Sequence, residues 1–154
     1  MLFLLDIDGV MVPAKGWKSP EFLQDGFPAF STKAVAALQS LLSVNDTVIL
    51  TTSHKSNYNI MEWKNIFKNR GITINLLATL PTNTNNANRK DEIIHWFTNN
   101  TITDNFVIID DDKTLQDLPK YLKNKWVQTS PYIGLTIEHV AIVKAILNKA
   151  IQTV

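Results

Sequence analysis

Two aspartates separated by one residue follow an apolar segment at the start of the sequence. Residues 3–5 lead into Asp6, Ile7 and Asp8, and Gly9 comes next. Side chains alternate along an extended strand, so Asp6 and Asp8 are expected to face one side. Two carboxylates this close repel each other unless a cation or a proton offsets the charge. The pair indicates either a metal site or an acid and a base with divided roles; the alternative is an Asp-Gly turn after a strand.

Polar side chains also follow two later apolar segments, residues 47–51 and 106–109. Both segments are short and rich in β-branched or aromatic residues, which is typical of buried strands. The carboxyl ends of parallel strands lie at one edge of a sheet, so these polar side chains are expected to converge with the first two acids. They are Thr52 and Ser53 after the first segment, and Asp110, Asp111 and Asp112 after the second.

The segments between these strands have helical spacing of apolar residues. Further strands are predicted at residues 72–80 and 126–129. Alternating strands and helices predict an α/β fold: a three-layer, Rossmann-like parallel sheet with helices on both faces. Four helices are predicted. The first follows a cap at Ser31, and the second ends at Asn69, before Gly71. The third begins near Arg89, and the fourth extends from a cap at Thr136 towards Ile151.

Two loops stand out between these elements. Residues 13–30 carry three prolines and four aromatic residues, Trp17, Phe22, Phe27 and Phe30. This segment, which we call the aromatic loop, is expected to be structured, either as a flap over the strand end or as an anchored connection. Residues 82–88 are almost entirely Asn and Thr, which predicts a solvated loop.

The composition is that of an ordinary globular protein, and a single domain is predicted over residues 1–154. The chain has 45% hydrophobic and 19% charged residues and a net charge of +1. This balance gives no electrostatic argument for a polyanion partner. The sequence contains no cysteine, which excludes disulfides, thiolate catalysis and cysteine zinc sites. Its three histidines, His54, His95 and His139, are not spaced as metal ligands.

No apolar stretch approaches the roughly 20 residues that cross a bilayer. The first five residues are too short for a signal-peptide core and lack a basic leader. No membrane partner and a cytoplasmic location are therefore expected.

Four of these segments resemble, in order, the motifs of the haloacid dehalogenase (HAD) superfamily, whose members are mostly magnesium-dependent phosphohydrolases. Asp-Ile-Asp-Gly-Val at residues 6–10 resembles the first motif, and Val-Ile-Leu-Thr-Thr at 48–52 resembles the second. Arg-Lys at 89–90 resembles the basic third motif, and Ile-Ile-Asp-Asp at 108–111 resembles the acidic fourth. The resemblance covers essentially the whole chain.

A narrower resemblance concerns the compact HAD domains of RNA-repair ("Swiss Army Knife") proteins. It depends on Thr-Thr-Ser at the second motif, Arg-Lys-Asp-Glu-Ile-Ile-His-Trp at the third, Ile-Asp-Asp-Asp at the fourth, and Gly-Leu-Thr before the last helix.

The HAD resemblance implies a Mg²⁺-dependent phosphatase that forms an aspartyl-phosphate. Asp6 would be the nucleophile, and Asp8 would be first the general acid and then the general base. Magnesium would be held by Asp6, the backbone carbonyl of Asp8, and an acid of the fourth motif. Within that motif, Asp110 and Asp111 are expected to face the metal.

The other implied site residues are a hydroxyl donor and a cation. Thr52 would donate to a phosphoryl oxygen, with Ser53 as the alternative, although either could simply cap a helix. Arg89 or Lys90 would offset charge in the transition state, and Arg89 is favoured. Ordinary surface charge is the alternative for both.

Three neighbours of these motifs are expected outside the chemistry. His54 and Lys55 could touch substrate, but a solvated loop is favoured for both. Asp112 is expected to cap or solvate its turn.

The spacing between the motifs leaves no room for a separate cap domain. In the HAD superfamily an open site goes with macromolecular substrates, or with a partner that supplies a lid. The expected partner is a phosphorylated substrate: a nucleic-acid end, a nucleotide, or a small phosphate ester enclosed by the aromatic loop. Nucleic-acid repair fits the first of these. The alternative is a non-catalytic phosphate-binding or phospho-accepting regulatory domain, although such a protein has no need of an acid at Asp8.

Overall fold

The computed structural model describes residues 1–14, 19–82 and 86–148. The described residues form one five-stranded sheet with helices on both faces. The strands are β1 (Leu2–Leu5), β2 (Thr47–Leu50), β3 (Leu76–Thr79), β4 (Phe106–Asp110) and β5 (Trp126–Gln128). The helices are α1 (Thr32–Leu41), α2 (Ile60–Lys68), α3 (Arg89–Asn99), α4 (Lys120–Lys123) and α5 (Ile137–Leu147).

All strand pairs in the sheet are parallel, and the strand order is β3-β2-β1-β4-β5. In the centre, Leu4 of β1 lies beside Ile49 of β2 and Ile108 of β4. The chain proceeds outward from β1 to β3 and then returns to β4 on the other side of β1. The order therefore reverses between β1 and β4, which is where parallel α/β sheets form their binding crevices. This topology confirms the predicted three-layer α/β fold.

The core lies in two layers because side chains alternate across each strand. Phe3 and Leu5 of β1 face the layer formed by α1, α2 and α5. Leu2 and Leu4 face the opposite layer, which contains α3 and α4. Both layers are closely packed, and the central strands are buried on both faces.

The helix signals at Ser31 and Gly71 lie where the sequence predicts them. The Ser31 hydroxyl accepts the Ala34 N–H at 3.0 Å at the start of α1. After α2, Gly71 adopts the left-handed φ of +85° that favours glycine, which confirms the predicted stop. Asn88 caps α3 by accepting the Asp91 N–H at 2.9 Å, so the helix begins at Arg89.

The aromatic loop is anchored to the core through two of its rings. Phe27 and Phe30 are buried, whereas Phe22 is exposed. Phe22 and Pro28 pair across a short antiparallel bridge, which gives residues 22–28 a hairpin shape. The predicted aromatic residue Trp17 lies outside the described residues.

Some element boundaries differ from the prediction. The third strand is shorter than residues 72–80, although Ile72 and Ile74 before it are buried. Helix α4 and the 3₁₀ turns Lys55–Asn57 and Lys113–Asp117 were not predicted, because elements of three to five residues carry no periodic signal. Residues 83–85 of the solvated loop and the predicted helical continuation to Ile151 lie outside the described residues.

None of the described segments forms a separate cap domain, as expected from the spacing of the motifs. A membrane-spanning helix is also missing from the part of the chain that the structure describes, since no helix there is both long and apolar enough.

Candidate active site

Three carboxylates converge where the strand order reverses. Asp6 directly follows β1, Asp110 ends β4, and Asp111 comes next. One oxygen from each lies within 4.8 Å of the others. The Asp6 N–H donates to the Ile109 carbonyl at 3.1 Å, which fixes Asp6 beside β4. Asp6 and Asp110 are buried, and Asp111 is partly exposed at the mouth of the site. We call these three residues the acid cluster.

Arg89 brings one positive charge into the acid cluster. Its Nη1 lies 2.5 Å from Asp110 Oδ2 and 3.4 Å from Asp6 Oδ1. Arg89 is the first residue of α3, so the cap at Asn88 determines where this guanidinium enters the site. Its Nε lies 3.8 Å from Glu92 Oε1, one helical turn further along. A single cation is therefore shared between two buried carboxylates.

The pKa values of the acid cluster reflect incomplete charge compensation. Burial raises the pKa of Asp6 well above its usual range, and repulsion from Asp110 adds to this, while Arg89 opposes it. Burial also raises the pKa of Asp110 despite the nearby Arg89, and burial raises that of Asp111 although a hydrogen bond with Asp6 opposes it. The cluster thus favours holding a proton or an added cation over full ionisation.

Arg89 stays charged in this environment. Burial alone would lower its pKa, but the attraction of Asp110 and then Asp6 outweighs burial and raises it. The guanidinium is therefore a permanent positive charge beside the acids.

Gly9 gives the Asp111 carboxylate its space. A Cβ atom built on Gly9 would overlap the Asp111 carboxylate, and the φ of Gly9 is +81°. The Gly9 carbonyl accepts the Thr129 hydroxyl at 2.7 Å, which fixes this turn against the residue that follows β5. The sequence identifies Gly9 as a turn residue, but its contact with Asp111 depends on the fold.

Asp8 lies apart from the acid cluster. Its side chain is 58% exposed, and its Oδ2 lies 2.8 Å from His54 Nε2. Asp8 also forms an isolated bridge with Val12, within a tight turn in which Ile7 accepts three backbone N–H groups. The two acids of the first motif therefore have different surroundings, one buried with Arg89 and one exposed beside a histidine. A metal contact through the Asp8 carbonyl stays a prediction.

Thr51 and Thr52, which follow β2, contact different parts of the site. Thr51 Oγ1 lies 3.3 Å from Asp110 Oδ2 and 3.4 Å from Arg89 Nη1, so Thr51 belongs to the cluster's surroundings. Thr52 is buried, and its Oγ1 accepts the His54 N–H at 3.2 Å. Ser53 is exposed. Sequence reasoning missed Thr51, although strand alternation puts it on the α3 face together with Ile49.

Lys90 is not brought to the acid cluster, contrary to its prediction as an alternative to Arg89. Its Nζ lies 3.9 Å from Asp91 Oδ1, and its backbone N–H donates to the Thr114 hydroxyl oxygen at 3.3 Å. Successive helix residues project about 100° apart, so Arg89 and Lys90 cannot both face the same cluster from this helix. Asp112 caps the turn as expected, accepting the Thr114 N–H at 2.8 Å.

Lys55 is buried, so the expectation of a solvated loop is wrong for this residue. Its Nζ lies 2.8 Å from Glu92 Oε2, and Glu92 also faces Arg89. The Lys55 carbonyl accepts the Trp63 indole N–H at 3.1 Å, which holds the 3₁₀ turn against α2. The sequence carries no signal for the ion pair between Lys55 and Glu92, because the two residues lie 37 positions apart.

Comparison with known proteins gives a family and no individual relative. No curated protein and no solved structure matches the chain significantly. A family profile described as "HAD domain in Swiss Army Knife RNA repair proteins" matches residues 2–140, which include every residue of the acid cluster and Arg89. The match confirms the resemblance seen in the four motifs and associates the chain with HAD-type phosphohydrolases at the superfamily level. The chain belongs to the family of HAD domains found in Swiss Army Knife RNA repair proteins.

Proposed function

We propose that residues 1–154 act as one domain, a Mg²⁺-dependent phosphatase that forms an aspartyl-phosphate on Asp6. The observation that carries this proposal is the acid cluster at the reversal of strand order, where Arg89 pairs with Asp6 and Asp110. A structural role would not require three carboxylates this close together, because their mutual repulsion and burial oppose folding. A bound divalent cation would compensate the charge of the three carboxylates and could hold a phosphoryl group beside them.

The acid cluster fits a hard divalent cation. Asp6, Asp110 and Asp111 each offer a carboxylate oxygen, and the three oxygens lie within 4.8 Å of one another. Mg²⁺ prefers such oxygen ligands and retains waters, so a few protein ligands suffice. We propose the Asp8 carbonyl as a further ligand. When bound, the ion would offset the negative charges of the carboxylates and of the phosphoryl group.

Asp6 and Asp8 would divide the chemistry between a nucleophile and an acid. An oxygen of Asp6 bonds to phosphorus while the bond from phosphorus to the ester oxygen breaks, and Asp8 gives its proton to the departing oxygen. In the second step Asp8 takes a proton from water, which attacks phosphorus, releases phosphate and restores the Asp6 carboxylate. The exposure of Asp8 suits it for contact with both the leaving group and water.

Arg89 and Thr52 would stabilise the transferring group. Arg89 Nη1 lies 3.4 Å from Asp6 Oδ1, close enough to offset charge at the nucleophile and on an adjacent phosphoryl oxygen. The Thr52 oxygen already accepts the His54 N–H, so its own proton can be donated to a phosphoryl oxygen. Lys90 has no part in this proposal.

We propose the phosphorylated end of a nucleic acid as the substrate, with nucleotides and small phosphate esters as weaker candidates. The RNA-repair description of the family supports this choice. The partly exposed Asp111 and the exposed Asp8 also indicate that the site opens to solvent, as a polymer end requires.

The test compares phosphate release from RNA ends, DNA ends, mononucleotides and sugar phosphates, with and without Mg²⁺. We expect release that needs Mg²⁺, is fastest on a nucleic-acid end, and disappears in Asp6→Asn. Unaltered activity in Asp6→Asn would overturn the mechanism. A stable phosphoprotein without phosphate release would favour the phospho-accepting alternative.

A further inference from the structure

His54 contacts the exposed acid of the first motif. Its Nε2 lies 2.8 Å from Asp8 Oδ2, although the two residues are 46 positions apart. Asp8 follows β1 and His54 follows β2, and these strands are neighbours in the sheet. The contact therefore connects two adjacent strand ends above the site.

Two contacts hold His54 in place. Its backbone N–H donates to Thr52 Oγ1 at 3.2 Å, which fixes the backbone after β2. The ring packs edge-on against Phe27, with centroids 5.8 Å apart and planes at 86°. Phe27 is 4% exposed, and its carbonyl accepts Arg70 Nη2 at 2.8 Å. His54 thus has a fixed position, although its side chain is 39% exposed.

Among residues 1–14, 19–82 and 86–148, His54 is the partner found for the Asp8 carboxylate. The Asp8 side chain is 58% exposed, and an exposed Asp side chain occupies several staggered rotamers. A general acid must point at the leaving oxygen, since catalysis falls steeply when the reacting groups are misplaced. A partner that selects one Asp8 rotamer would therefore contribute to the rate.

We propose that His54 is a positioning residue that holds the Asp8 carboxylate through an Nε2–H···Oδ2 hydrogen bond and leaves Oδ1 directed at the leaving group. The inference rests on the proposed phosphatase function. A neutral imidazole with its proton on Nε2 is sufficient, so His54 need not change its charge. An exposed pair of this kind contributes little to stability, so its effect is expected in the rate and not in folding.

The kinetic test uses the full chain with His54→Phe and His54→Gln, at a pH where imidazole is neutral. Phe keeps a ring against Phe27 but has no donor, whereas Gln keeps an N–H donor at similar reach. We expect His54→Phe to lower kcat about tenfold, with KM and the thermal midpoint nearly unchanged. His54→Gln should recover most of the kcat. An equal loss in both variants, or no loss in His54→Phe, would overturn the inference.

A second measurement does not depend on activity. Nitrogen NMR of the imidazole should show His54 with its proton on Nε2 in the parent chain. Asp8→Ala should shift the Nε2 and Nε2–H signals of His54, because their hydrogen bond to Asp8 is lost, while the signals of His95 stay unchanged as an internal control. An unchanged His54 spectrum in Asp8→Ala would contradict the contact itself. If the parent chain releases no phosphate from any substrate, the proposed function fails, and the NMR result still decides whether His54 holds Asp8.

Discussion

The two arginines of this protein have opposite surroundings. Arg89 is shared between Asp6 and Asp110 within a cluster of three acids. Arg70 instead binds both oxygens of Asp25, at 2.6 and 2.9 Å. Its remaining donors reach the carbonyls of Ile66, Phe27 and Pro28 at 2.7, 2.8 and 3.0 Å. We call this second region the Arg70 anchor, because it ties the aromatic loop to the end of α2.

The pKa shifts of the acids in the two regions have opposite signs. Hydrogen bonds from Arg70 lower the pKa of Asp25 below its usual range. Burial raises the pKa of Asp6 and Asp110, even though Arg89 opposes it. The Arg70 anchor is therefore balanced and complete, whereas the acid cluster is short of positive charge. Balanced burial of charge indicates structure, and unbalanced burial indicates a site that a ligand completes.

Replacing the cluster's cation tests this contrast most strongly. Arg89→Met should lower kcat for phosphate release by about a hundredfold, because a permanent charge beside the nucleophile is lost. Lys90→Met is the matched control, since Lys90 carries the same charge on the adjacent residue but contacts Asp91. We expect it to change kcat little. Steady-state kinetics on both variants decide the point, and equal effects would contradict the assignment of Arg89.

Breaking the Arg70 anchor should affect stability. Asp25→Asn leaves a buried guanidinium without its counter-charge and should lower the free energy of unfolding by about 3 kcal/mol. Because the folded pKa of Asp25 is lowered, its contribution is present above the unfolded pKa near 3.8 and is lost as pH falls through the folded value. Urea denaturation at pH 7 and in acid measures both effects. Asp104→Asn, at an exposed position, is the control.

Alanine variants of Gly9 and Gly26 distinguish backbone strain from a steric effect on Asp111. Gly9 and Gly26 have φ values of +81° and +79°, so alanine at either position should cost about 1–2 kcal/mol of stability. Only at Gly9 does the added Cβ meet Asp111; at Gly26 there is nothing within 4 Å. Gly9→Ala should therefore also raise the Mg²⁺ concentration needed for half-maximal activity, and Gly26→Ala should not. Equal Mg²⁺ requirements would argue against Asp111 as a ligand.

The smallest expected effect concerns pH and the cluster's own charge. Because the folded pKa of Asp6 is raised, its contribution to stability is full below the unfolded pKa near 3.8 and is lost as pH rises through the folded value. Asp6→Asn removes the charge, so without divalent cations it should be more stabilising at pH 7 than at pH 4. Chemical denaturation of both chains at the two pH values measures this. A variant that destabilises more at pH 7 would mean that the cluster is not short of positive charge.

Much of the acid cluster follows from the sequence because its members end strands. Asp6 and Asp110 adjoin apolar segments whose parallel pairing can be inferred, and the reversal of strand order brings the two segments together. The helix opening near Arg89 was also predicted, whereas the cap at Asn88 that fixes its first residue is seen only in the structure. The choice between Arg89 and Lys90 required the helix orientation, which a local pattern does not give.

The contacts that sequence reasoning missed join residues that lie far apart in the chain. His54 to Asp8 and Lys55 to Glu92 span 46 and 37 residues, and neither pair has a spacing that helix or strand periodicity would reveal. The Arg70 anchor likewise depends on where the aromatic loop returns to α2. Such contacts are determined by the packing of loops on the sheet, so only the folded chain shows them.

The response of stability to Mg²⁺ tests most directly whether the acid cluster is a cation site. We expect millimolar Mg²⁺ to raise the thermal midpoint of the parent chain by about 2–4 °C, because a ligand that binds only the folded state stabilises it. Asp111→Asn should lose most of this rise, whereas Asp25→Asn should keep it from a lower starting midpoint. No rise in the parent chain, or an equal rise in Asp111→Asn, would contradict the account.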